Sequence, residues 1–209
     1  MKRIGKSKGS MCDNGEPHCK FLPREELKPL EITTERILST MVIDAYKDRK
    51  VANFDVSRVY LQTYLPKEKF TLLLLEGKFV NIMFDINTKY KQHVRFKYGS
   101  KTLYLCILKA IYGMIKYALL WYKLYMSVLK YMGFQINPYG MCVANEDIDR
   151  KKCTISWYVD YSKVSHVEPE VIDDAIRKLK ERFLGLTFTK GNLHTSLGMK
   201  TMYPKNSRI

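Results

Sequence analysis

Between Ile86 and Asn145 the chain carries no aspartate or glutamate. Nine cations stand unopposed in that stretch: Lys89, Lys91, Arg95, Lys97, Lys101, Lys109, Lys116, Lys123 and Lys130. They belong to a chain of 209 residues with a formal net charge of +15, and so one-sided a segment projects a field suited to phosphates and unsuited to cationic partners. Cysteine is scarce and odd in number: Cys12, Cys19, Cys106, Cys142 and Cys153 form no C-x-x-C pair and no zinc spacing. This argues against a disulfide framework and a structural zinc, and reads as reduced thiols in an intracellular protein, cytoplasmic or nuclear. The histidines His18, His93, His166 and His194 show no ligand spacing and read as structural or surface residues. Long apolar runs are missing too. The longest aliphatic run, Leu72 to Leu75, is far short of a membrane span, and no apolar stretch follows the basic start MKRIGKSKGS, so neither a secretory signal nor a bilayer segment is expected. Internal repeats and low-complexity tracts are also absent.

What is present is a foldable composition, 46% hydrophobic and 27% charged, enough for one sizeable domain or two small ones with a proper core. The acid-free segment is also rich in aromatics, among them Tyr90, Phe96, Tyr98, Tyr104, Tyr112, Tyr117, Trp121, Tyr122 and Tyr125. Cations neutralise phosphates while aromatic faces stack on bases, so the combination suits a nucleic-acid partner. It equally suits a solvated basic face over an aromatic core. For Trp121 and Tyr122, spaced on a helix with Leu120 and Leu124, the core is the better reading.

Local patterns give alternating elements. Residues 1–32 are irregular and read as an arm. Thr33 or Thr34 can cap a helix on which Ile37, Leu38, Met41, Val42 and Ala45 recur at helical spacing, so that 1–49 reads as an arm and a helix. Val51–Val56 reads as a strand with Asp55 near its end, followed by a helical turn. A long amphipathic helix is predicted from Leu108 to Tyr131, then a turn through GFQINPYG. MCVAN and CTISWYV read as strands leading into a hairpin with Asp160 at its tip. Pro169 suits the first position of a helix running to Phe183, and LTFT and HTSLGMKTMY close the chain as strands. Strand, helix, strand pair, helix, strand is the order of a split βαβ sheet, which places 50–209 in one α+β domain with a basic insertion around 66–107. Such a sheet can bring Asp55 and Asp160 to one rim, where paired carboxylates could bridge divalent ions for phosphoryl transfer. Isolated aspartates at strand ends also serve as caps and turn formers.

Four blocks decide between these readings. VANFDVSRVYLQ, LKAIYGMIKYALLWY, WYVDYSKVSH and GNLHTSLGMK, in that order, resemble the first catalytic motif, the KALYG…WY block, the Tyr-Val-Asp-Asp box and the later LGM strand of copia-type (pseudovirus) retrotransposon reverse transcriptases. The resemblance follows nearly the whole chain. It implies a right-hand polymerase core, with 1–49 as a fingers-like arm and helix and 50–209 as an antiparallel ferredoxin-like palm, and RNA-directed DNA synthesis on an RNA template and DNA primer with a dNTP; no thumb is expected after LGMKTMY. It also implies Mg2+ or Mn2+ held by Asp55, Asp160 and the Val56 carbonyl, Tyr60 beneath the incoming sugar, and Tyr112, Gly113 and Lys116 in the nucleotide-side block.

The departures lie around the same residues. Tyr161 replaces the second aspartate of the box. Arg58 and Val59 stand where the family has small residues, Lys116 where it has glutamine or glutamate, and Tyr117 where it has a small residue. Ser10 falls in the place of a fingers arginine. The sequence therefore predicts a catalytically impaired or inactive copy of the domain. The alternatives are a non-catalytic nucleic-acid-binding protein derived from it, and a different palm-like metal-dependent nucleotidyltransferase.

Overall fold

Strand β1, Lys50–Val56, is buried at every residue except Lys50 and Asp55. The computed structural model describes residues 32–66, 71–112, 115–196 and 199–203. They divide into two compact units, one comprising Tyr64–Ala110 and the other the remainder.

In the larger unit, helix α1 (Thr34–Tyr46) precedes β1. The strands β5 (Gln135–Asn137), β6 (Gly140–Ile148), β7 (Lys151–Tyr158), β8 (Tyr161–His166) and β9 (Leu186–Lys190) complete a six-stranded sheet in the order β5-β6-β7-β8-β1-β9, antiparallel throughout. Helix α3 (Ile115–Tyr131) precedes β5, and α4 (Pro169–Arg182) joins β8 to β9. Strands β7, β8, β1 and β9 with these two helices follow a βαββαβ course, and β5–β6 extends the β7 edge. A separate hairpin, β10 (Leu193–Ser196) with β11 (Met199–Met202), follows.

The core lies on one face of the sheet. Phe54, Val56, Ile155, Trp157 and Val164 meet Trp121, Tyr125 and Leu129 of α3 and Ile172, Ala175, Ile176 and Leu179 of α4. Removing such side chains from water contributes about 1.5–3 kcal/mol each. The α4 stripe is the one its spacing predicts, with proline at its first turn.

The other face is polar, and it turns α1. The helix buries Ile37, Thr40 and Asp44 while Leu38 and Val42 are exposed, a correction to the apolar stripe expected from spacing. Asp44 is drawn inward as the counter-ion of two buried cations, accepting from Lys163 Nζ at 2.5 Å and lying 3.5 Å from Arg49. Thr40 also accepts from Lys163, at 2.8 Å. Helix α3 starts later than expected because Leu108 and Lys109 pair with Leu65 and Tyr64 instead. The segment expected as a turn after α3 contains strand β5.

In the smaller unit, β2 (Leu72–Glu76), β3 (Arg95–Lys97) and β4 (Ser100–Cys106) form a sheet in the order β2-β4-β3. Helix α2 (Lys78–Ile86) packs on it about Leu75, Val80 and Leu103. No helix of the described residues is long and apolar enough to cross a membrane.

Candidate functional site

The hairpin between β7 and β8 turns in only Val159 and Asp160, because Tyr158 and Tyr161 are already partners. Val159 takes a left-handed φ of 52°. A β-branched residue there is strained, since hairpin turns of this kind favour glycine at the position. One bond ties the strained residue to the helical layer: the Trp121 indole N–H donates to the Val159 carbonyl at 2.8 Å. Trp121 is otherwise core, buried against Tyr125 and Phe183. Tyr125 reaches the same strand end, its hydroxyl 2.9 Å from Ser162 Oγ, and burial pushes that phenol well above its ordinary pKa.

The ladder then joins hairpin and strand. Asp55 is the partner of Tyr161 across β1 and β8, and the Val56 N–H donates to the Asp160 carbonyl at 3.0 Å. Asp55 and Asp160, more than a hundred residues apart in sequence, thus meet at one rim, Asp160 in the turn one residue before the ladder partner of Asp55. Asp55 is exposed and Asp160 half-buried, whereas the Val56 side chain is core. Tyr161 is half-buried and lines a cleft of about 20 Å³ with Ile37, Met41 and Lys163 beneath α1. Lys163, deeper in the same face, has its pKa lowered chiefly by burial, with Asp44 pulling the other way.

After β1 the chain turns through Arg58, whose φ is 55°, and buries Val59 completely. Tyr60 and Tyr112 come together edge to face, ring centroids 4.7 Å apart. Lys116 is in the first turn of α3, and Gly113 lies outside the described residues.

One residue that the motif reading passed over holds this corner in place. Gln62 Nε2 donates to the carbonyls of Ser57 (2.8 Å) and Leu184 (2.9 Å), and its Oε1 accepts from the Leu184 N–H (3.0 Å). Beside it, Gly185 has a φ of 71°, and a Cβ there would lie 3.0 Å from the Ser57 Cβ. The only sequence signal for Gln62 is its place at the end of VSRVYLQ.

The donor set at the rim consists of two carboxylates. Among the described residues no group of three or more His, Cys, Asp or Glu side chains is placed to hold a metal ion. Two ions carry four positive charges and need more oxygen ligands than Asp55 and Asp160 supply. The residues present fit such a centre only in part: two carboxylates and the Val56 carbonyl would leave the remaining positions to substrate phosphates and water.

Comparison with known proteins adds little at the sequence level. No family model matches the chain, and no match was found among curated proteins. Solved structures do align. Apo telomerase from Candida tropicalis, truncated from its C-terminal domain, is 9% identical over 90% of this chain and 44% of that one, with a TM-score of 0.46. Telomerase from Candida albicans, in complex with a TWJ fragment of telomeric RNA, is 7% identical over 90% of this chain and 35% of that one, with a TM-score of 0.40. The chain spans less than half of either protein.

The acid-free segment divides by role. Trp121, Tyr122 and Tyr125 are buried, as the core reading holds. In the smaller unit the picture is reversed. The β3–β4 hairpin turns at Tyr98 and Gly99, both at positive φ, and leaves Phe96 and Tyr98 73% and 95% exposed. Lys97 lies over the Tyr98 ring and Lys101 over Phe84. Arg95, Lys97 and Lys101 are all exposed on this hairpin, so phosphate-seeking and stacking groups share one surface.

Proposed function

We propose that this chain is a reverse-transcriptase-like domain of the copia type that binds nucleic acid and has lost efficient polymerisation. The observation that carries the reading is the junction of β1 with the β7–β8 hairpin. The two blocks that resemble catalytic motifs meet there through the Asp55–Tyr161 pairing and the bond from Val56 to Asp160. In this reading 1–49 is a fingers-like arm and helix, the rest of the larger unit is a palm, and the Tyr64–Ala110 unit is the basic fingers/palm insertion.

Asp55, Asp160 and the Val56 carbonyl are the positions at which such a palm would hold Mg2+ or Mn2+, and Tyr60 and Tyr112 flank its nucleotide pocket. The missing second acid of the box removes one negative charge from a site that must offset the ions. Loss of that charge weakens ion binding, and the substitutions at Arg58, Val59 and Lys116 alter the pocket as well. The cationic hairpin of the smaller unit is untouched by these changes and retains contact with phosphates and bases. Its partner is RNA, DNA or their hybrid.

Primer extension on an RNA template, with magnesium and with manganese, tests the catalytic half of the proposal. No extension is expected from the natural chain, and little from Tyr161→Asp, because the other pocket changes remain. Robust extension by the unmodified chain would overturn the claim that polymerisation is lost. Strong rescue by the single substitution would show that the damage is confined to the metal site and contradict the role given to Arg58, Val59 and Lys116.

A further inference from the structure

A pocket of about 360 Å³ opens on the α1 face of the sheet, between that helix, the β5–β6 turn and strands β6 and β7. Its lining includes Arg36, Lys47, Arg49 and Lys152, and no carboxylate lines it among the described residues. Asp147 is the nearest in register, across the ladder from Lys152 but outside the lining.

Arg49 is built into the floor. Its side chain is 4% exposed, and its Nη1 donates to Thr154 Oγ1 at 3.0 Å. The Thr154 hydroxyl in turn donates to Asn145 Oδ1 at 2.8 Å. The buried carboxylate beside Arg49, Asp44, is shared with Lys163, so the cluster beneath the pocket leans positive. At the edge, Gly140 makes room for Arg36: a Cβ there would lie 3.4 Å from Arg36 Cδ and 3.5 Å from Nε. The walls are apolar, from Ile43 and Val143, and Tyr139 stands at the pocket with its side chain largely exposed.

Cations attract an anion, whereas the apolar walls and the aromatic ring need something flat and apolar attached to it. The volume falls within the roughly 300–1,000 Å³ of small-molecule pockets. We propose that this pocket binds a nucleotide phosphate, the phosphate among Arg36, Lys47, Arg49 and Lys152 and the base against Tyr139. The nucleotide is either free or the terminal unit of a strand. The pocket lies at the Lys50 end of β1, about 17 Å from Asp55 at 3.3 Å per residue, and does not depend on the polymerase reading.

Calorimetric titration of the full chain tests this with five probes: AMP, adenosine, inorganic phosphate, and a single-stranded hexanucleotide with and without a 5′-phosphate. Saturable binding of AMP or of the 5′-phosphorylated strand is expected, with adenosine weaker by about tenfold or more. The tighter of the two phosphorylated probes identifies the source. Arg36→Ala and Lys152→Ala, both at exposed side chains, should each weaken the phosphorylated probe by about tenfold. Tyr139→Ala should weaken AMP and leave inorganic phosphate unchanged. Lys97→Ala with Lys101→Ala, on the other unit, should leave AMP binding intact while reducing duplex binding, which separates this site from the cationic hairpin. No saturable binding of either phosphorylated probe would overturn the proposal, as would AMP affinity unchanged in both Arg36→Ala and Lys152→Ala.

Discussion

Val159 is the residue on which the geometry of the rim turns. It is β-branched, left-handed and adjacent to Asp160, and its carbonyl is held by the Trp121 indole. Strain of this kind persists only where surrounding contacts over-determine it. Trp121 therefore has two jobs, filling the core and fixing the hairpin tip. Trp121→Phe keeps most of the ring packing and removes the N–H. The expected loss is about 1–2 kcal/mol, from the missing bond and the carbonyl left behind, measured by denaturant unfolding. Amide exchange at Tyr161 should quicken in the same variant. A variant as stable as the parent would show that the indole bond contributes nothing. None of this was readable at Trp121 itself, where helical spacing with Leu120 and Leu124 predicts a core residue and says nothing about which carbonyl its nitrogen meets.

Elements were legible to the extent that their periodicity was local. Helix α4 has proline at its start and an uninterrupted apolar stripe, and it forms where that pattern places it. Helix α1 was legible as a helix but not in its rotation, since the inward position of Asp44 depends on Lys163 and Arg49, which come from β8 and the approach to β1. Helix α2 gave no clear start signal, having Gly77 at its N-cap with no side-chain bond, and it leaves Phe79, Ile82 and Ile86 exposed. The pairing of β1 with β8, which brings Asp55 beside Asp160, has no local signature at all; only the order of the blocks pointed to it. The corner after β1 depends on Gln62, which bonds to backbone on both sides of a gap of more than a hundred residues. Gln62→Ala should cost about 2 kcal/mol, given three bonds that water can partly replace. Thermal or urea unfolding measures it, and a change within about 0.5 kcal/mol, the range of an ordinary surface substitution, would remove Gln62 as the staple.

At the scale of the whole molecule, charge and fold have separate consequences. The +15 balance is spread over both units, yet exposed aromatics lie beside cations on the β3–β4 hairpin, whereas Trp121, Tyr122 and Tyr125 of α3 are buried in the core. Among the described residues, no third acid joins the carboxylate pair of Asp55 and Asp160 in a group placed to hold a metal ion. The proposed function has such a molecule hold nucleic acid through phosphate contacts and by stacking. The direct measurement is the affinity of the full chain for an RNA–DNA duplex as salt is raised from about 50 to 200 mM. The account predicts tight, sequence-independent binding at low salt that falls steeply and log-linearly, because each neutralised phosphate releases counter-ions, and that is unchanged by chelating divalent ions. Affinity that is absent at low salt, indifferent to salt, or lost on chelation would contradict it.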